Sequence, residues 1–424
     1  MTPSTRGAGL IRREHRSLNI LKKAASFLGL QRSVLGMLGM VVLIGLGEKM
    51  GERFLPMYLI ALGGGALSIG MLNGLDNLLS ALYSFPGGYL SDKIGTKRSL
   101  LLFNLIAIAG FAVVILIPIW QVVIAASFLF ISWTAISLPA TVGLLSKVLP
   151  VNKQTMGMSV FALVKRIPMF VGPLIGGACI TAFGIRAGIR ISFSVALILA
   201  VIAIFIQQIL ITDDRKTIIG SNTPIGNPFR LWKDMPLTLK NLLVSDVLIR
   251  FCEQIPYAFV VVWCMKTISA PVTAFQFGIL TTIEMVTAML IYIPVAHFAD
   301  RSEKKPFVVL TFIFFSFFPL ALYFSHSLPV LIAVFVLRGL KEFGEPTRKA
   351  LIMELSPENH KASMFGLYYL VRDLIVTFAA VGGAFLWMKS PALNLWTAFG
   401  CGLAGTTWFI LFGKTFPRKY IEKT

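Results

Sequence analysis

The stretch Gly-Tyr-Leu-Ser-Asp-Lys-Ile-Gly-Thr-Lys-Arg at residues 88–98 decides the fold, because it joins two long apolar runs. Small residues at positions 87, 88 and 91 allow a neighbouring helix to approach closely. Gly95 permits a tight turn, and Asp92 can pair with a cation or lie at a helix N-terminus. The stretch predicts a helix end, a short turn and a basic loop of the kind found on the cytoplasmic side of membranes.

The composition of the whole chain extends this prediction. Of its 424 residues 56% are hydrophobic and 14% are charged, whereas a soluble protein carries about 25% charged residues. At roughly 20 apolar residues per spanning helix, a chain of this length holds about a dozen helices and no large soluble domain. The net charge of +20 comes from short basic groups between apolar runs. This distribution indicates a lipid bilayer as the partner and excludes nucleic acid.

Twelve apolar runs are long enough to cross a bilayer, and because they are continuous rather than alternating we expect helices instead of a β-barrel. The predicted fold is an all-α membrane protein with twelve transmembrane helices in two six-helix bundles. The predicted spans are 34–62, 69–91, 98–118, 121–148, 157–183, 189–211, 239–265, 273–299, 306–326, 329–355, 363–388 and 392–413.

The bias of Lys and Arg toward one set of loops predicts the orientation, with both chain termini in the cytoplasm. The four cysteines lie in apolar stretches without the spacing of a zinc site, so we expect no metal. The predicted organisation is a basic cytoplasmic segment at 1–33, a bundle at 34–211, a cytoplasmic linker at 212–238, a second bundle at 239–413 and a cytoplasmic tail at 414–424.

The two halves repeat each other. Asp76 and Glu284 are separated by 208 positions, and so are Asp92 and Asp300. Matching polar residues at one fixed separation indicate two structural repeats, as in many transporters. Since six spans separate the copies, both insert in the same orientation.

The stretch at 88–98 resembles the signature loop between helices two and three of the major facilitator superfamily, G-x-L-[AS]-D-[KR]-x-G-[RK]-[RK]. Only Thr96 departs from that pattern, and a degenerate copy follows at Asp300. The resemblance covers nearly the whole chain and implies a secondary transporter whose two bundles rock around a central site. The residues it implies for conformational switching are Gly88, Asp92, Lys93, Gly95, Lys97, Arg98, Asp300 and Arg301.

A second, partial resemblance lies in the fifth span. The segment 172–177 looks like the end of the antiporter-associated signature of the same superfamily, although Ser159 and Pro168 stand where glycines are expected. Its signature residues are Gly172, Pro173, Gly176 and Gly177. Antiport and a plain packing kink are both compatible with this segment.

Charged residues inside the first, seventh and tenth spans are costly in hydrocarbon, so they are expected to face a cavity or a partner. We interpret them as the lining of a substrate pathway, with internal salt bridges such as Lys49 with Glu52 as the alternative. For Arg338 and Glu342 we expect a gated ion pair or a substrate contact, and for Arg348 and Lys349 a solvated position. The pathway residues are Glu48, Glu52, Arg53, Asp246, Arg250, Glu253, Gln254, Arg338, Lys341, Glu342 and Glu345.

Asp76 and Glu284 stand alone in otherwise apolar spans. Burial disfavours the charged form of an unpaired carboxylate, which lets it bind and release a proton as its surroundings change. They are therefore the candidates for proton coupling. The alternative is that each pairs with a base, for example Arg53, Lys165 or Arg250, and never titrates.

No phosphate-binding loop, nucleophile elbow or dinucleotide fingerprint occurs, so we expect no enzyme and no cofactor. The predicted function is proton-coupled secondary transport of a small organic solute across an inner or plasma membrane, with efflux ahead of uptake and a monomer as the default. The alternatives are a proton symporter that imports a metabolite or organic anion, and a non-transporting receptor with the same fold.

The predicted topology can be tested by cysteine labelling. In a Ser221→Cys variant whose native cysteines are replaced, the linker cysteine should react with a membrane-impermeant thiol reagent only after the cells are opened, because the linker is expected in the cytoplasm. Labelling of this cysteine in intact cells would refute the orientation.

Overall fold

The computed structural model describes residues 32–131, 133–148, 151–212, 228–299, 303–357 and 361–413. Every regular element in these ranges is a helix, and a π-helical turn at Trp263–Thr267 follows α10. The helices are α1 (Arg32–Glu52), α2 (Leu55–Ala61), α3 (Ala66–Ile94), α4 (Thr96–Leu116), α5 (Trp120–Phe130), α6 (Trp133–Val148), α7 (Val151–Leu210), α8 (Pro228–Asp234), α9 (Leu237–Tyr257), α10 (Val260–Val262), α11 (Ala274–Ala299), α12 (Lys304–Tyr323), α13 (Leu328–Leu340), α14 (Glu345–Leu355), α15 (Lys361–Lys389) and α16 (Pro391–Phe412).

The all-helical membrane fold is confirmed, and each predicted span contains helix. Within the described residues seven helices are long and apolar enough to cross a membrane, or eight if the bent pair α9 and α10 counts as one span. The long element α7 covers two predicted spans. It turns at Gly184, whose φ of +77° suits glycine, and Gly188 then lies directly against Cys179 and Ile180. The count of twelve spans stays a prediction.

Several predicted spans, among them the first, the seventh and the tenth, are interrupted rather than continuous. The first span breaks between Glu52 and Leu55, and the tenth breaks between Leu340 and Glu345. In both, a proline follows within the first two positions of the next helix, where its missing N–H costs nothing. The seventh span bends by 41° after Tyr257. Our expectation of unbroken helical faces in these spans was therefore wrong. The breaks bring backbone and charged side chains to the middle of the protein.

We call residues 32–212 the N-terminal half and residues 228–413 the C-terminal half, and we call the end of the molecule opposite Arg32 the distal end. Near the distal end the halves meet through glycines. Gly74 of α3 packs on Val381 of α15, and Gly177 of α7 packs on the backbone of Ala274 in α11. Because a Cβ at either glycine would collide with the opposite helix, the halves are closely packed here.

The turn that the signature loop predicted is present. The helix α3 ends at Ile94, Gly95 adopts a φ of +88°, and α4 begins at Thr96. The ammonium of Lys97 donates a hydrogen bond of 2.9 Å to the carbonyl oxygen of Gln208, which ties the loop to the end of α7.

Several sequence predictions lie outside the described residues. They concern the side chain of Asp92, the second signature copy at Asp300 and Arg301, the segments 1–31 and 414–424, and most of the linker. Of the linker, the structure describes a short helix, α8, that the sequence analysis did not anticipate.

Gly176 allows a test of the helix packing. A Cβ there would lie 2.1 Å from the carbonyl oxygen of Met50, whereas one at Gly382 meets nothing within 4 Å. We expect Gly176→Ala to destabilise the protein by about 1–3 kcal/mol through overpacking. Gly382→Ala should be neutral or stabilising by up to about 1 kcal/mol. Thermal unfolding of the two purified variants measures the difference, and equal melting temperatures would contradict this packing.

Candidate functional site

A partly open cavity lies between the two halves, where the first and seventh spans are interrupted. Its empty space is about 480 Å³ when the open space at its mouth is counted. Apolar side chains such as Leu72 and Phe277 form part of its wall. Its polar lining comes from both halves and consists of Glu52, Arg53, Asn73, Asp76, Tyr257 and Arg338. Charges of both signs thus face one space inside the membrane fold, which is the usual setting of a functional site.

Tyr257 joins the two halves at this cavity. The guanidinium of Arg53 lies 5.2 Å from the centre of its ring, and that of Arg338 lies 5.8 Å from it. Both distances are in the range of cation–π attraction. The sequence analysis did not single out Tyr257, although its position directly after Pro256, at the end of a charged helix, was a signal.

The interface beside the cavity is held by amides. Asn77 of α3 donates a hydrogen bond of 3.2 Å to the side-chain oxygen of Gln254 in α9, and Asn73 donates one of 3.2 Å to the backbone carbonyl of the same residue. Gln254, which we predicted for the substrate pathway, therefore connects the halves. Neutral hydrogen bonds of this kind can exchange partners at modest cost.

In the N-terminal half the charges of the first span pair with one another. Lys49 contacts both Glu48, at 3.2 Å, and Glu52. Glu48 is almost fully buried and also accepts a 3.3 Å hydrogen bond from the hydroxyl of Thr134. The structure thus contains the internal salt bridges that we had considered as the alternative, while Glu52 still reaches the cavity.

A chain of ion pairs of alternating sign leads from the cavity into the C-terminal half. Glu284 lies 3.2 Å from Arg338 and 3.3 Å from Lys341, and Lys341 lies 2.8 Å from Glu253. Glu253 in turn pairs with Arg250 at 2.6 Å. These residues come from α9, α11 and the broken tenth span, so the chain cross-links three predicted spans.

The same chain continues to a second buried carboxylate. Arg250 lies 3.7 Å from Glu345, which pairs at 2.7 Å with Arg348. Arg348 also contacts Asp246, a fully buried carboxylate that pairs with Arg372 at 3.4 Å and accepts a 3.1 Å hydrogen bond from Tyr368. Every acid in this series of ion pairs has a basic partner, as burial in a membrane protein requires.

Glu284 does not stand alone, because it pairs with bases, as in the alternative that we had considered. Its partners are Arg338 and Lys341 instead of the examples that we named. One expectation about pairing is wrong. Arg338 does not pair with Glu342, which instead lies 3.8 Å from Arg166 of the N-terminal half. The cause is the break in the tenth span, which removes the regular spacing that we had assumed.

The expectation for the end of the tenth span is half right. Arg348 is 1% exposed instead of solvated, because its partners Asp246 and Glu345 draw it into the core. The Lys349 side chain is 48% exposed, as expected.

Asp76 differs from Glu284 in its surroundings. Its side chain is partly exposed and lines the cavity between the halves, and it takes part in an interaction with its neighbours. Glu284 is fully buried and does not line the cavity. The repeat equivalence of the two residues in sequence therefore does not extend to their environments.

The signature of the fifth span acts in helix packing. Positions 172 and 176 lie against the backbone of α1 at Lys49 and Met50, and Gly278 of α11 lies against the carbonyl of Pro173. The segment thus fits α7 closely between α1 and α11. This contact gives the glycines a role in packing, which is compatible with either direction of transport.

Metal-binding geometry is not found in the part of the chain that the structure describes, where no group of three His, Cys, Asp or Glu residues could hold an ion. The four cysteines are free thiols, and Cys252 and Cys264 are buried.

Comparison with known proteins gives the family. The sequence model of the Major Facilitator Superfamily matches residues 37–269 and, in a second match, residues 242–424. The chain belongs to the major facilitator superfamily. An uncharacterised transporter of this type from Methanocaldococcus jannaschii is 23% identical over 357 residues, which are 82% of this chain and 87% of the relative.

Two solved structures of superfamily transporters share the fold. A POT family transporter in complex with 5-aminolevulinic acid superposes with a TM-score of 0.72 and 13% identity, covering 90% of this chain and 95% of the other. The nucleoside transporter NupG superposes with a TM-score of 0.70 and 13% identity, covering 92% and 100%. The chain is thus a multi-pass membrane transporter of the major facilitator type.

The buried ion pairs predict unequal effects for two neighbouring acids. Asp246→Asn removes the fully buried carboxylate that Arg348 and Arg372 share, so we expect a loss of stability of about 3–5 kcal/mol. Asp373 pairs with Arg372 at 2.7 Å but is 24% exposed, so Asp373→Asn should cost less than about 1 kcal/mol. Thermal unfolding of both purified variants measures the two losses of stability. Similar losses would argue against a structural role for Asp246.

Proposed function

We propose that the chain is a secondary active transporter that moves a small polar organic solute by alternating access and couples this movement to protons. The observation that carries the proposal is the cavity between the halves. The N-terminal half lines it with Glu52, Arg53 and Asp76, and the C-terminal half lines it with Arg338. A site at the interface of two repeats becomes accessible from either side when the repeats rock against each other.

The lining also suggests the substrate class. Arg53 and Arg338 can bind an anionic group, and Glu52 and Asp76 can bind a cationic group. The ring of Tyr257 lies within cation–π distance of both guanidinium groups. This arrangement fits a zwitterionic or polar solute better than a purely lipophilic cation.

We assign proton coupling to Asp76 ahead of Glu284. Asp76 lines the cavity, where water and substrate can reach it, whereas Glu284 is enclosed by two basic side chains. A carboxylate whose surroundings alternate between wet and dry can bind a proton in one state and release it in the other. The proton and the substrate would then influence each other through the shared cavity.

We further propose that the protein resides in an inner or plasma membrane as a monomer, with both termini and the linker in the cytoplasm. The distal end then faces the outside, and the close contacts between the halves near it correspond to an outward path that is shut. For the direction we propose efflux, which rests on the partial signature at 172–177. Import by symport and a receptor without transport are the rivals.

Transport assays on reconstituted protein test this function. A thermal-shift screen of metabolites at about pH 6 and 8 identifies a ligand whose binding depends on pH. Proteoliposomes with a pH gradient should then move that ligand uphill, and the gradient polarity that drives it gives the direction. A bound ligand that no gradient moves would contradict transport and favour a receptor.

Two amide variants, studied in the same assay, distinguish a carboxylate that couples protons from one that stabilises the fold. Asp76→Asn should remain folded and bind the ligand without pH dependence, and it should lose uphill transport, because the amide resembles the permanently protonated acid. Glu284→Gln should instead lose about 3–5 kcal/mol of stability, since it removes the buried carboxylate that Arg338 and Lys341 share. Full gradient-driven transport by Asp76→Asn would show that it does not carry the proton.

A further inference from the structure

A second, partly open cavity lies within the N-terminal half between α1, α6 and α7. Its empty space is about 380 Å³ when the open space at its mouth is counted. It shares no lining residue with the cavity between the halves. Its polar lining consists of Lys49, Thr134, Ser137, Thr141 and Lys165.

The charges that line this second cavity are of one sign. Lys49 and Lys165 are its charged residues, and none of the described lining residues is a carboxylate. Lys49 is neutralised by Glu48 and Glu52. Those two acids lie outside the lining of the second cavity, so a positive charge faces its interior.

Lys165 supplies that charge. Within the described residues its ammonium makes no ion pair and no hydrogen bond, although the charge of Glu48 acts on it from beyond ion-pair distance. Its side chain is only partly exposed. An ammonium without a partner inside a membrane fold is costly, and an entering anion would remove that cost.

The remaining lining is suited to an amphipathic molecule. The hydroxyls of Ser137 and Thr141 now donate to backbone carbonyls of their own helix, at 3.4 and 2.9 Å. Because a hydroxyl can rotate its proton, both can turn toward an anion. Trp133 and Phe161 supply apolar wall on which a ring or a branched chain could pack.

We propose that this second cavity binds a small amphipathic organic acid, with its carboxylate on the ammonium of Lys165 and its apolar body against Trp133 and Phe161. The site lies wholly within one half. It therefore goes beyond the proposed transport function and would exist even in a protein that moves no solute.

The proposal is tested by binding to the full-length protein in detergent, without a gradient. The probes are acetate, benzoate and phenylacetate, each compared with its uncharged amide. We expect at least one of the two aromatic acids to raise the melting temperature and to bind in calorimetry, while its amide does not. Acetate, which lacks the apolar body, should bind more weakly.

Variants place the binding at Lys165. Lys165→Gln should reduce the affinity for the acid at least tenfold, and its own melting temperature should not fall, because no described partner is lost. Lys389→Gln, which removes an exposed lysine at the distal end, is the matched control and should bind as wild type does. Asp76→Asn should also bind the acid normally, which separates this site from the proposed coupling residue.

Three results would overturn the proposal. The first is that none of the acids binds, and the second is that binding is the same in Lys165→Gln. The third concerns lipid: if nanodiscs containing phosphatidylglycerol stabilise the protein through Lys165 while the acids have no effect, the ligand is an anionic head group instead of a small acid.

Discussion

The structure depends on the cost of placing charge where water is scarce. In the C-terminal half a continuous chain of ion pairs offsets this cost. It runs from Arg338 at the cavity to Arg372 and alternates in sign. Because each member holds its neighbours, the chain fixes α9, α11 and α13–α15 relative to one another. The half can therefore move as a unit, as alternating access requires.

The N-terminal half meets the same constraint differently. Within α1, Lys49 neutralises Glu48 and Glu52, and Lys165 of α7 faces the second cavity. The glycine contacts near the distal end bring no charged side chain between the halves. Close apolar contacts of this kind carry no charge and can separate without leaving a buried ion unpaired.

The sequence was sufficient for the architecture and insufficient for the pairing of charges. The turn at Gly95 and the apolar runs are local features, so their outcome follows from nearby residues alone. The partners of Glu284 lie more than 50 positions away on a helix that breaks at Lys341. Regular helical spacing could not anticipate that break, nor that Tyr257 would contact two arginines.

Alternating access requires the halves to move relative to each other around the charged cavity. Spin labels at Leu116 and Met388, which are exposed and lie near the distal ends of α4 and α15, report the separation of the halves in a cysteine-replaced protein. We expect two distance populations whose ratio changes with pH and with a transported ligand. One distance that stays the same under all these conditions would contradict it.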